Sequence, residues 1–114
     1  MDVPITHEFT VDESKWYRGK GGHESKLLRI DGLMCCLGFL GESLNVPCVG
    51  MLDKEEPGIV SEWPNDLVKR AKVTCDIINV NDEPKINDNL RKTKLVRLFA
   101  SLGIRVTFKS EVPA

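Results

Sequence analysis

The chain has 114 residues, of which 41% are hydrophobic and 29% charged, a composition typical of one globular domain rather than a disordered segment. The formal net charge of −1 gives no overall attraction to nucleic acid, which a strongly basic domain would show. No apolar run approaches the ~20 residues of a membrane helix, and the N-terminus lacks a basic region followed by an apolar core. We expect one cytoplasmic domain spanning residues 1–114.

The first predicted element is an edge strand near the N-terminus, where Ile5, Phe9 and Val11 stand among polar residues. A second strand is predicted over residues 26–30, after an intervening loop. The dipeptide Asp31-Gly32 that follows is a strong turn signal.

The loop between these two strands has the sequence RGKGGHES at residues 18–25. Glycines let backbone N–H groups approach an anion, and arginine and lysine add charged donors. The predicted ligand-binding residues are Arg18, Gly19, Lys20, Gly21, Gly22, Ser25 and, where the next strand folds back, Arg29. The spacing matches neither a Walker loop nor a dinucleotide fingerprint. A surface turn with solvated charges is an equal alternative.

The next segment, LMCCLGFLGESL at residues 33–44, is dominated by apolar side chains. It fits the second arm of a hairpin or a buried helix, and its length favours the helix. Gly38 and Gly41 would then leave a groove where another element approaches closely. Asn45 is a plausible left-handed terminator, and Pro47 prevents continuation of the helix.

Residues 47–64 are rich in proline and glycine, which indicates a long connection. Asn65 or Asp66 can begin a helix. Residues 73–80 contain β-branched side chains and fit either a strand or the continuation of that helix, with the helix favoured. Residues 81–84, NDEP, predict a turn.

The last helix has the clearest pattern. Asn87 or Asp88 is its predicted N-cap, and Gly103 its terminator. Its apolar residues recur at helical spacing as Leu95, Leu98, Phe99 and Leu102. Residues 104–109 then alternate between apolar and polar side chains, as in a half-buried strand. The predicted fold is α+β: a small mixed or antiparallel sheet of N-terminal, loop-following and C-terminal strands, with two or three packed helices.

The cysteines are Cys35, Cys36, Cys48 and Cys75. In a cytoplasmic protein we expect thiols rather than disulfides. Adjacent cysteines on a helix point about 100° apart, which is poor geometry for one metal ion. His7 and His23 could complete a zinc site, but buried core thiols are the favoured interpretation, and no metal or cofactor is predicted.

A set of basic residues lies along the last helix, with Arg91, Lys94 and Arg97 near one side. Such a stripe can contact a phosphate backbone. A solvated helix face is commoner, and nearby acidic residues dilute the charge. Nucleic acid is therefore a less favoured partner.

The order of these motifs resembles a widespread family of small uncharacterised proteins encoded by tailed phages and prophages. The shared signature is a glycine-rich basic loop followed by a Cys-Cys-Leu-Gly helix. The matching residues are Arg18, Gly19, Lys20 and Gly21, then Cys35, Cys36, Leu37 and Gly38, with later matches at Trp63, Asn81-Asp82 and residues 88–102. The resemblance implies a phage accessory gene whose product meets host metabolism or host defence.

Together these observations predict a non-catalytic protein, because the sequence has no Ser/His/Asp order, no paired carboxylates in an evident cleft and no metal signature. The predicted function is antagonism of a host defence system by binding a phosphorylated small molecule or signalling nucleotide. The alternative is inhibition of a host protein through surface complementarity. In that case an acidic patch of Asp53, Glu55, Glu56 and Glu62 would mimic nucleic acid. A homo-oligomer is compatible with either function.

Overall fold

The computed structural model describes residues 3–21, 25–54, 60 and 63–110. Its elements are, in chain order, β1 (His7–Asp12), α1 (Cys36–Ser43), α2 (Cys48–Met51), α3 (Asn65–Val68), α4 (Ala71–Asp82), α5 (Asp88–Ala100) and β2 (Ile104–Lys109). The predicted α+β class is confirmed, with α1, α4 and α5 as the longer helices and α2 and α3 as single turns. No helix in these segments is long and apolar enough to cross a membrane.

The two strands lie near opposite ends of the described chain and pair in parallel, with His7 opposite Ile104 and Asp12 opposite Lys109. This direction differs from the mixed or antiparallel arrangement that the sequence predicts. All the described helices lie in the connection between the two strands. A long crossover of this kind joins parallel strands, whereas a short hairpin joins antiparallel ones.

Both strands alternate between core and solvent, which confirms the predicted half-buried strand at the C-terminal end. The buried positions are Phe9, Val11, Ile104 and Val106. Phe9 packs edge-on against Phe99 of α5, with ring centroids 5.1 Å apart. On the solvent face Arg105 and Glu8 form an ion pair at 2.8 Å.

The strand predicted over residues 26–30 does not join this sheet. Within the described part of the chain it makes one isolated bridge, between Leu28 and Leu52. The extended stretch is cut short because the N–H of Gly32 bonds back to the carbonyl of Arg29 at 2.9 Å. The turn predicted at Asp31-Gly32 is therefore present, and it ends the strand that was expected before it.

The Cys-Cys segment forms the helix α1, so the hairpin alternative is excluded. The helix begins at Cys36 rather than Leu33, because Met34 still pairs with the segment after β1 through a bridge to Trp16. The predicted close packing at both glycines is confirmed. A Cβ on Gly38 would overlap the carbonyl of Leu27, and one on Gly41 would overlap Trp63 and Met51.

The other predicted helix ends are also present, and the helix favoured for residues 73–80 is confirmed. Asn45 adopts a left-handed φ of 64° just after α1. Residues 73–80 are helical and belong to α4. Asn87 caps α5, with its side chain accepting from the N–H of Leu90 at 2.8 Å. Gly103 has a φ of 76° between α5 and β2.

Candidate functional site

The glycine-rich loop lies against the C-terminal end of α4. The N–H of Gly19 donates to the carbonyl of Asn81, and the N–H of Gly21 to the carbonyl of Asp82, each at 2.8 Å. Both glycines have a positive φ, 69° and 77°, which residues with a Cβ rarely adopt. The last carbonyls of a helix lack intrahelical donors. These two N–H groups therefore cap α4, which corrects their predicted role in holding an anion; Gly22 lies outside the described residues.

Arg91 also caps this end of the helix. Its Nη1 donates to the carbonyls of Val80 and Glu83, each at 2.8 Å, and its Nη2 donates to the carbonyl of Ile86 at 3.0 Å. A Cβ on Gly19 would lie 2.9 Å from Nη2, so this guanidinium also requires a glycine in the loop.

The sequence interpretation of Arg91 as part of a solvated helix face is wrong, because this residue is only 3% exposed. One sequence signal was present. Arg91, Leu95 and Phe99 are spaced by four residues on α5, and all are buried. Arg91 thus belongs to the apolar stripe of the helix rather than to the side of Lys94 and Arg97, which are both exposed.

Asn81 is the buried centre of the contact between α4 and the loop. Its Oδ1 accepts from the indole nitrogen of Trp16 at 2.7 Å and from the backbone N–H of Cys36 at 3.1 Å. Its Nδ2 donates to the carbonyl of Tyr17 at 3.0 Å and to Oδ1 of Asp82 at 2.9 Å. One side chain therefore joins the segment just before the loop, the start of α1 and the end of α4.

The turn predicted at residues 81–84 is wrong in its first half, since Asn81 and Asp82 are the last residues of α4. Asparagine and aspartate favour turns when their side chains bond to nearby backbone. Here both side chains are buried and bond to other segments, so the helix continues through them. The chain turns at residues 84–86 instead.

Ser25 is buried at 6% exposure and faces inward. Its hydroxyl hydrogen-bonds the carboxyl group of Asp82, whose pKa is raised because burial disfavours the charged form. The predicted ligand-binding role of Ser25 is therefore corrected: the side chain belongs to the support of the loop rather than to its surface.

Arg18 reaches across to the start of α5. Its Nη2 and Nε donate to Oδ2 of Asp88 at 2.9 and 3.1 Å. Its Nη1 donates to the carbonyls of Glu13 and Trp16, at 3.2 and 3.0 Å, and the guanidinium lies 4.5 Å from the centre of the Trp16 ring. The hydrogen bond from Arg18 holds the pKa of Asp88 below its usual value.

A shallow open cleft of about 470 Å³ lies where these groups meet. It is lined by Trp16, Tyr17, Arg18, Gly19, Lys20, Leu33, Asp88 and Arg91. Among the described lining residues, three have cationic side chains and one has a carboxylate. Lys20 is exposed. Its side chain makes no hydrogen bond or ion pair with another described residue. The structure thus brings Arg18, Gly19 and Lys20 of the predicted site together at one surface.

Arg29 lies beside this cleft through an aromatic contact. Its guanidinium carbon is 4.0 Å from the ring centre of Tyr17, which lines the cleft. An ion pair with Asp31 at 3.1 Å partly neutralises its charge. Arg29 is therefore near the cleft without being among its lining residues.

Cys35 and Cys36 are buried, as predicted. Burial raises the pKa of the Cys35 thiol to about 12 and moves the pKa of Cys36 well upward. Cys48 and Cys75, by contrast, are exposed, so the interpretation of these two as core thiols is wrong.

The predicted alternative of a zinc site involved His7 and His23. His7 instead lies on β1, where its Nε2 hydrogen-bonds the hydroxyl oxygen of Ser43 at 2.8 Å, and His23 lies outside the described residues. In the part of the chain that the structure describes, no group of three or more potential metal ligands lies together.

Comparison with known proteins gave no match to a family model, to a curated protein or to a solved structure. The resemblance to the tailed-phage family therefore remains a prediction from the sequence motifs.

Proposed function

We propose that this protein is a non-catalytic, phage-encoded binding protein that holds a phosphorylated small molecule, such as a signalling nucleotide, and thereby antagonises a host defence system. The observation that carries the proposal is the charge of the cleft, whose described lining residues include the cations Arg18, Lys20 and Arg91 and one carboxylate, that of Asp88. Phosphate groups are bound in proteins by such charge-assisted donors. The host context rests on the resemblance to the tailed-phage family.

The binding mode differs from the one that the loop sequence predicts. Because the N–H groups of Gly19 and Gly21 are bonded to α4, the donors for the ligand are side chains rather than backbone amides. Lys20 is the first of these, since it is exposed and has no partner among the described residues. Arg18 is the second, at the wall of the same cleft.

The size and lining of the cleft also favour binding of a small molecule. A volume of about 470 Å³ lies within the usual ~300–1,000 Å³ of small-ligand sites. Tyr17 lines the cleft with a half-buried aromatic ring, over which the guanidinium of Arg29 lies.

Isothermal titration calorimetry with a panel of mononucleotides, dinucleotides and cyclic nucleotides tests this proposal. We expect binding to the wild type and a loss of at least about tenfold in affinity for Lys20→Ala, since one charge-assisted contact is removed. Lys94→Ala is the matched control, because Lys94 is an exposed lysine on α5 outside the cleft. Unchanged binding in the double variant Arg18→Ala/Lys20→Ala would contradict the proposal.

A second candidate function, inhibition of a host protein, is favoured by a different surface. Ile30 and Val49 are 86% and 82% exposed, and exposed apolar side chains mark a protein contact where they form a contiguous patch. Of the acidic patch predicted for this role, only Asp53 is described; it is exposed and lies 3.9 Å from Lys26. Capture from bacterial lysate with the wild type and Val49→Asp in parallel tests this function: a stoichiometric protein retained only by the wild type supports it.

A further inference from the structure

The carboxylate of Asp88 lies in the cleft where the proposed ligand would place its own negative charge. Its Oδ2 accepts from Nη2 and Nε of Arg18, at 2.9 and 3.1 Å. Its Oδ1 accepts from Nε of Arg91 at 3.3 Å. Two N–H groups of Arg18 thus converge on one carboxylate oxygen, in charge-assisted hydrogen bonds of the kind that guanidinium groups also make to phosphate oxygens. The carboxylate of Asp88, which also lines the cleft, therefore occupies the Nη2 and Nε donors of Arg18.

We propose that Asp88 is an internal competitor for the anion in this cleft and that it sets which ligands can bind. The inference rests on the proposed function and deepens it. A ligand that takes over the Nη2 and Nε donors of Arg18 displaces the carboxylate of Asp88, so binding at these donors is an exchange of one anion for another. Anions with two or more charges gain from this exchange, whereas a monoanion replaces like with like.

The surroundings of Arg18 allow such an exchange without moving the guanidinium. Nη1 remains bonded to the carbonyls of Glu13 and Trp16, and the group remains stacked on the Trp16 ring. These contacts do not involve Asp88, so they hold the cation in place when the carboxylate leaves.

Asp88 is the more exposed partner of the pair. Its side chain is 44% exposed, compared with 24% for that of Arg18. It lies at the first residue of α5, where rotation of the side chain into solvent leaves the helix intact. Arg91 does not depend on this contact either, because its other donors are bonded to backbone carbonyls.

The test measures binding of inorganic pyrophosphate and of acetate by calorimetry in the wild type, Asp88→Asn and Glu8→Gln. Asparagine keeps the shape of Asp88 and removes its charge, so we expect Asp88→Asn to bind pyrophosphate about tenfold more tightly. Wild type is expected to bind pyrophosphate and not acetate. Glu8→Gln makes the same change in net charge on the solvent face of the sheet, where Glu8 pairs with Arg105, and we expect wild-type affinity.

Asp88→Ser, which also removes the charge, repeats the test if the asparagine variant is poorly folded by circular dichroism. Tighter binding in the Asp88 variants, with no change in Glu8→Gln, supports the inference. If wild type binds pyrophosphate through Lys20 and the Asp88 variants bind equally or more weakly, the inference is overturned while the proposed function stands. If none of the proteins binds pyrophosphate or any nucleotide of the panel, both are overturned.

Discussion

Asn81 accepts a hydrogen bond from the indole nitrogen of Trp16 at 2.7 Å, and this buried contact joins the end of α4 to the segment that follows β1. The two residues are 65 positions apart in the chain. Among the described residues no buried side-chain nitrogen or oxygen lacks a hydrogen-bond partner. The polar cluster is therefore fully bonded, which makes each member costly to remove.

We predict that Asn81→Ala lowers the free energy of unfolding by about 3 kcal/mol, because it leaves the indole N–H of Trp16 and the backbone N–H of Cys36 buried without an acceptor. Urea denaturation followed by tryptophan fluorescence measures the change. Asn89→Ala is the control, since Asn89 is exposed on α5; we expect a change within about 0.5 kcal/mol. A loss below about 1 kcal/mol in Asn81→Ala would show that the cluster is less important than its geometry indicates.

Arg91→Lys tests the helix cap built by the guanidinium. Lysine keeps the charge but cannot serve the separate carbonyls of Val80, Glu83 and Ile86 from one planar group. We expect a loss of about 2–4 kcal/mol in the free energy of unfolding, in the range for buried polar groups left unbonded. The same substitution at the exposed Arg97 should have almost no effect, and equal losses at both positions would contradict the assigned role.

Local patterns in the sequence were sufficient to predict several elements of the fold. Asn87 as a cap, Gly103 as a terminator and the alternation of β2 each depend on residues close together in the chain, and each is confirmed. Gly38 and Gly41 were also interpreted correctly, since two glycines in an apolar helix indicate close packing.

The candidate site could be predicted only in part, because its arrangement depends on distant residues. The acceptors for the Gly19 and Gly21 amides are the carbonyls at the end of α4, and no local pattern indicates that these two segments meet. Asn81 and Arg91 were misassigned for the same reason. A polar residue that favours a turn or solvent in isolation becomes a core residue once a distant segment supplies its hydrogen-bond partners.

Gly38→Ala should destabilise the protein although alanine favours helix. The new Cβ overlaps the carbonyl of Leu27 and would lie 3.0 Å from Cβ of Met34, and overpacking of a core typically costs about 1–3 kcal/mol. We expect a net loss of about 2 kcal/mol after the gain in helix propensity, measured by urea denaturation. Glu42→Ala, at an exposed position of the same helix, should be neutral or stabilising; a stable Gly38→Ala would mean that α1 packs less closely.

The cysteines should divide into two classes by reactivity. Cys48 and Cys75 are exposed, whereas Cys35 and Cys36 are buried, and burial raises the pKa of Cys35 to about 12. Because the thiolate is the reactive species, we expect an aromatic disulfide reagent at pH 8 to label only Cys48 and Cys75 in the folded protein. All the cysteines should react in denaturant. Mass spectrometry of digested protein identifies the sites, and rapid labelling of Cys35 or Cys36 in the folded state would contradict the assignment.

Asp82 should give a pH dependence of stability opposite to that of Asp88. Burial raises the pKa of Asp82 in the folded protein above the value of 3.8 expected when unfolded. The folded state therefore binds this proton more tightly, and the contribution of Asp82 to stability is greatest below the unfolded pKa and is lost as the pH rises through the folded pKa. Relative to Asp82→Asn, wild type should gain stability between pH 7 and pH 3, as measured by urea denaturation at each pH. For Asp88, whose pKa is lowered, wild type should lose stability relative to Asp88→Asn as the pH falls below about 4. Parallel curves for wild type and Asp82→Asn would show that Asp82 is as well solvated in the folded protein as in the unfolded chain.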